Sequence, residues 1–142
     1  MKKLVITFIG IIIMFMVSCS KEIENEEQII KFQKYMGNED NYEEFKEINN
    51  NERVKQVKDI VDNIDWEDAQ VSMVRPPDYR FGFQYKNPKF ESKAALYELW
   101  VSPNKDKVEL VIDAESKYVQ LDKKKSAVLY ELITEEKLSD LK

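Results

Sequence analysis

The chain has 142 residues, 43% hydrophobic and 35% charged, which fits one small globular domain plus an extra segment rather than a disordered chain. It contains no histidine and one cysteine, which excludes serine triads built on a histidine base and zinc sites of the usual kind. A net charge of -5 makes nucleic acid and anionic lipid poor partners, because both reward a basic face.

Lys2 and Lys3 form a positive start, and residues 4–17 are an uncharged run interrupted only by Thr7 and Gly10. A helix needs roughly 20 apolar residues to cross the hydrocarbon core, so this shorter run predicts a cleaved export signal rather than a permanent span. Its end, Met16-Val17-Ser18-Cys19, resembles the bacterial lipobox: Val17, Ser18 and Cys19 match, and Met16 stands where Leu is usual. The resemblance implies a lipoprotein signal peptide over 1–18, cleavage between Ser18 and Cys19, and a diacylglycerol thioether on Cys19. Each buried methylene adds about 0.8 kcal/mol, so one acyl chain holds marginally and two anchor stably. A plain secretory signal with an incidental cysteine and an uncleaved anchor are the competing readings. With Cys19 acylated, no thiol is left for a disulfide, a metal or catalysis, and the exported domain folds without a covalent staple. Loss of residues 1–18 takes two lysines and no acids from 22 basic and 27 acidic side chains, so the net charge moves from -5 to -7.

Residues 19–28 read as the lipidated cysteine and a polar tether, since Ser20 to Glu27 is acidic with Ile23 as its single large apolar residue. Residues 29–142 read as a single α+β domain. Ile30 and Phe32 alternate as in a strand, whereas Ile29, Phe32 and Met36 would share a helical face; strand is the preferred reading of 29–36. Turn residues occupy 38–41, and a short extended segment ends at Ile48. An asparagine cluster then opens a helix, with Asn49 and Glu52 spaced as a capping box and Val54, Val57, Val61 and Ile64 on one face.

From Ala69 the period changes to two. Val71 and Met73 alternate as in a strand up to the turn Arg75-Pro76-Pro77-Asp78; Tyr79, Phe81, Phe83 and Tyr85 then point one way, against Arg80, Gly82, Gln84 and Lys86. Further strands are predicted over 96–101, 107–113 and 118–121, separated by a loop at 86–93 and by turns at 102–107 and 114–116. Asp122 caps a last helix whose apolar stripe is Ala127, Val128 and Leu132, joined by Leu129 and Ile133. Short connections between strands predict an antiparallel sheet of about five to seven strands packed against two helices, with one face covered and the other at least partly wet.

Chemistry-bearing motifs are sparse. Gly37 and Gly82, the two glycines outside the signal, are too few and too far apart for a phosphate-cradling loop or a dinucleotide fingerprint, and no cofactor is expected. Asp62, Asp65, Glu67 and Asp68 cluster without the spacing of a calcium loop, so they read as a solvated helix end and no metal is expected. Nothing places two acids across a cleft, as a carboxylate-only hydrolase would need. The row Tyr79, Phe81, Phe83, Tyr85 reads as core in preference to a stacking platform for sugars or bases. In 96–101, Tyr97, Leu99 and Val101 face one side and Leu96, Glu98 and Trp100 the other, so Tyr97 or Trp100 is exposed unless both faces are covered. An exposed Trp100 beside the proline turn would contact a partner, and Trp66, among acids after the first helix, is a second candidate of this sort; packing at the rim of the core is the preferred reading of both.

The lipobox, "EI...ERVKQV", "PPDYRFGF", "YELWVSP" and "YVQL" leading into "SAVLYELI" together resemble the YhfM-like domain of small lipoproteins from Bacillus and relatives. The resemblance covers most of the chain after the signal, implies a membrane-attached extracytoplasmic domain and supplies no catalytic residue. The expected protein is a non-enzymatic binding or accessory lipoprotein on the extracytoplasmic face of the cell membrane, held through lipid on Cys19. It would recognise a protein or cell-wall partner through a sheet edge or through Trp66, Trp100 and Tyr97. An immunity- or inhibitor-like protein that blocks an exported enzyme and a carboxylate-only hydrolase are the alternatives.

Overall fold

The computed structural model describes residues 27–38, 41–90 and 95–142; the expected signal peptide, the expected cleavage point between Ser18 and Cys19 and the expected lipidation of Cys19 lie outside the described residues. The strands are β1 (Gln28–Lys34), β2 (Lys46–Ile48), β3 (Glu67–Asp68), β4 (Tyr79–Tyr85), β5 (Tyr97–Val101), β6 (Val108–Ile112) and β7 (Lys117–Gln120). The helices are α1 (Asn51–Asp62) and α2 (Lys123–Thr134). All seven strands form one antiparallel sheet in the order β2-β1-β4-β5-β6-β7-β3. The α+β class holds, and the segment that opens the domain is a strand.

Period-two alternation builds the core. Pairing aligns Ile30 with Phe83, Phe32 with Phe81, Tyr79 with Leu99, and Leu99 with Leu110, so the large side chains fall in line on one face. Val54, Val57 and Val61 of α1 and Leu129, Tyr130 and Ile133 of α2 close over that face. Full burial of such a side chain contributes about 1.5–3 kcal/mol, and Ile30, Phe81, Leu99, Leu110, Leu129 and Ile133 are completely buried. Tyr85, the last of the aromatic row, is half-buried and meets Phe90 at 5.9 Å between ring centroids.

Five local expectations are corrected. The N-cap of α1 is Asn50, not Asn49: its side-chain oxygen accepts from the Arg53 amide at 3.1 Å, so Glu52 is out of frame for a capping box. Ile64 lies past the end of α1, half-buried against the core. The buried stripe of α2 is Ser126, Leu129, Tyr130 and Ile133, while Ala127 and Val128 are exposed. A serine on the inner face hid this phase: the Ser126 hydroxyl accepts from the Val108 amide at 2.9 Å and donates to the Leu121 carbonyl at 3.2 Å. The fold also begins inside the predicted tether, because Glu27 is fixed to Lys86 and Gln28 opens β1.

The fifth correction concerns residues 69–78. No strand forms at Val71 and Met73; the strand before the turn is the two-residue β3, which Val71 follows after the Ala69 amide has donated to the Ser116 carbonyl at 2.9 Å. Pro76 and Pro77 lack the N–H groups that a ladder requires. The segment instead runs as a strap over the end of the sheet, with Val71 and Met73 half-buried and Val74 fully exposed at its tip.

Candidate functional site

The strap is held by one compact set of bonds. Arg75 forms a two-pronged ion pair with Asp78 (2.6 and 3.0 Å) and donates to the Val101 carbonyl at 2.8 Å. Asp78 also accepts from the Val101 amide at 2.7 Å, and the Trp100 indole N–H donates to the Arg75 carbonyl at 2.8 Å. The sequence explains the motif: two prolines between Arg75 and Asp78 fix the turn and bring the fork of the guanidinium onto the carboxylate. That bonding raises the Arg75 pKa and keeps the guanidinium charged.

Beneath the strap, at the end of the sheet, lies a cavity of about 700 Å³. Trp100, Tyr79, Tyr130 and Met73 give it apolar walls, and Lys34, Lys105 and Lys142 line it as cations. Burial pushes the Tyr79 and Tyr130 phenols up, so both stay neutral. Lys105 is set by the Ser102–Lys107 turn: its backbone is left-handed (φ 58°) and its amide donates to the Ser102 carbonyl at 2.8 Å. The acids at this site are engaged. Asp78 serves Arg75 and Val101, and Glu109 accepts from the Tyr118 hydroxyl at 2.6 Å, which with burial pushes that phenol up to about 12. Among the described residues, Lys34, Lys105 and Lys142 form no ion pair. Three such lysines around aromatic walls, in a chain of net charge -5, form a local reversal of sign suited to an anionic group with an apolar part.

A second hollow, of about 460 Å³, shares Ser72–Arg75 and Trp100 as a wall and opens onto the sheet face opposite the helices. There Arg80 stacks on the Tyr42 ring at 4.0 Å, and its Nε has no hydrogen-bond partner among the described residues. Glu98 faces it, its carboxyl pushed up by burial against the pull of Arg80. A family model described as YhfM protein matches residues 23–139.

The chain belongs to the YhfM family. No curated protein and no solved structure matches it. Among the described residues, the match spans every strand and both helices, and the strap with them.

The aromatic residues singled out from the sequence divide between the two faces of the YhfM sheet. Trp100 is 5% exposed, so the exposure on which a partner contact there depended is not met: the strap covers it and satisfies its N–H. Tyr97 lies against the core, stacked on Phe81 at 5.0 Å and edge-on to Phe83 at 5.9 Å. Trp66 is half-buried, caps the end of α1 by donating to the Val61 carbonyl at 3.1 Å, and lies 6.2 Å from Tyr97. The structure thus brings Trp66 and Tyr97 together and leaves Trp100 apart from them. The acidic run is dispersed, with Asp62 paired to Lys58 at 3.4 Å and Asp68 paired to Lys117. Sequence reading missed Arg75, Asp78, Lys34 and Lys105. The spacing of Arg75 and Asp78 about two prolines was a usable signal; nothing local marked Lys34.

Proposed function

We propose that the protein is a membrane-anchored extracytoplasmic lipoprotein, held through lipid on Cys19, that works as a non-enzymatic binding module through the strap cavity. The observation that supports this most is the placement of the two ends of β1. The chain arrives at Gln28, where Glu27 is fastened to Lys86, and the cavity lysine Lys34 stands at the other end of the same strand. Six residue steps of β-strand separate them by about 20 Å. An anchor upstream of Glu27 therefore presents the cavity on the side away from the bilayer, where a protein or cell-wall partner can reach it.

Binding rather than catalysis is supported by the occupancy of the nearby acids, since Asp78 and Glu109 already hold structural partners. The partner would set an anionic group against Lys34 and Lys105 and an apolar part against the aromatic walls. A sheet-edge mode is less well supported. The edges are β2, with Lys46 and Glu47, and the two acidic residues of β3; short charged edges resist strand addition. Photocrosslinking on intact cells tests the site. A photoreactive residue at Lys34 or at Lys105 should capture a discrete partner, whereas the same group at Gln56, in the groove between the helices, should not. Equal capture at all three positions, or none at the first two, would remove the cavity as the binding site.

A further inference from the structure

We propose that the hollow between Phe45 and Leu96 is a bilayer-contact surface that settles against lipid headgroups when the chain is anchored, an inference that rests on the acylation of Cys19. Phe45 and Leu96 are 55% and 45% exposed, and they line the same hollow of about 530 Å³ together with Tyr85, Phe90 and Pro88. Gly82 forms its floor; a Cβ there would come within 3.3 Å of the Ala95 carbonyl, so the absent side chain keeps the hollow open while the chain crosses close by.

The position of the hollow names its occupant. Tyr85 lies directly opposite Gln28, and the Lys86 amide donates to the Glu27 carbonyl at 2.9 Å. Lys86 Nζ reaches both the Glu27 carboxylate and the Asn51 side chain at 3.0 Å, which fastens the arriving chain beside the hollow. Cys19 precedes Glu27 by eight residues, a reach of about 28 Å fully extended and about 15 Å for a flexible chain. An acyl anchor on Cys19 thus holds a bilayer near this side of the molecule at high effective concentration, and weak partition of a few side chains is enough to orient the domain.

The chemistry fits the interfacial zone rather than an ionic one. Tyr85 pairs an apolar ring with a polar tip, Phe45, Phe90 and Leu96 supply apolar surface, and Lys31, which also lines the hollow, has a stem that can lie along it. The negative net charge leaves apolar contact as the driving force.

The test uses the full-length, membrane-extracted protein in vesicles of phosphatidylethanolamine and phosphatidylglycerol. A nitroxide is attached through Phe45→Cys or Leu96→Cys, with Val128→Cys on α2 as the control; all three sites are exposed, so folding is retained. Cys19 is the one native cysteine, so its acylation leaves the new thiol as the sole point of attachment. The ratio of oxygen to nickel-chelate collisions should rise severalfold at positions 45 and 96 above that at 128. Equal ratios at the three sites would overturn the proposal. So would loss of both collision rates at 45 and 96, which signals cover by protein, whether a second copy or the chain itself. Intact mass separates the two levels: acylated protein with water-exposed labels defeats the contact surface alone, whereas an unmodified Cys19 removes the anchor and the surface together.

Discussion

The Trp100 indole donates to the Arg75 carbonyl at 2.8 Å, and that bond ties β5 to a strap that is not itself a strand. It turns a large side chain on the sheet face opposite the helices into a buried one and walls two hollows at once. The strap's own hold is the Arg75–Asp78 pair, which shares the backbone of Val101.

Asp78→Ala should release that hold. It strips Arg75 of its carboxylate and leaves the Val101 amide without its acceptor, a loss of about 1–3 kcal/mol. Denaturant unfolding should show the lower midpoint, and tryptophan emission should move to the red in the native baseline as water reaches Trp100. An unchanged emission maximum would mean that the strap stays closed without the pair.

Ser126→Ala should destabilise the domain despite its small size and good helix propensity. The hydroxyl is completely buried and serves the Val108 amide, so the substitution orphans a buried N–H at a cost of about 1–3 kcal/mol. Thermal melts of the two forms measure this directly; an equal or higher midpoint for the variant would contradict it.

Arg53 joins the helices. Its guanidinium, reaching from α1, donates to the carbonyls of Leu132 and Ile133 and to Glu135 at the end of α2. A lysine point charge cannot serve three acceptors held in a fork. Arg53→Lys should therefore lose much of what Arg53→Ala loses, about 1–3 kcal/mol by denaturant titration, and full rescue by lysine would count against a role for the fork.

Two glutamates should titrate on opposite sides of the ordinary value of 4.5. The Lys86 hydrogen bond and charge hold Glu27 below it, whereas burial pushes Glu98 above it. The contribution of Glu27 is complete above the unfolded value and disappears as pH falls through its lowered pKa. That of Glu98 is complete below the unfolded value and is lost as pH rises through its raised pKa. Carboxyl-carbon NMR should give midpoints in that order, Glu27 first; the reverse order would contradict both environments.

Much of the fold is legible because its signals are local. Tyr79, Phe81 and Phe83 alternate cleanly, and Asp122 caps α2 as expected, its carboxylate accepting from the Lys125 amide at 2.7 Å. Val71 and Met73 carry the same alternation, yet a strand also needs a partner, and no stretch of sequence states which edge is free. The burial of Trp100 followed from that missed strap rather than from its own neighbours. Ser126 misled for a related reason, since a polar residue on an inner face is explained only by the distant Val108 amide that it satisfies. The cavity lysines were invisible because Lys34, Lys105 and Lys142 converge through the topology and share no motif.

Intact mass of the protein extracted from cell membranes decides whether lipid on Cys19 displays the domain there, as proposed. The expected species is a chain that begins at Cys19 and carries the added mass of a diacylglycerol on its sulfur. A chain that retains Met1, or one that begins at another residue with a free thiol on Cys19, would contradict it.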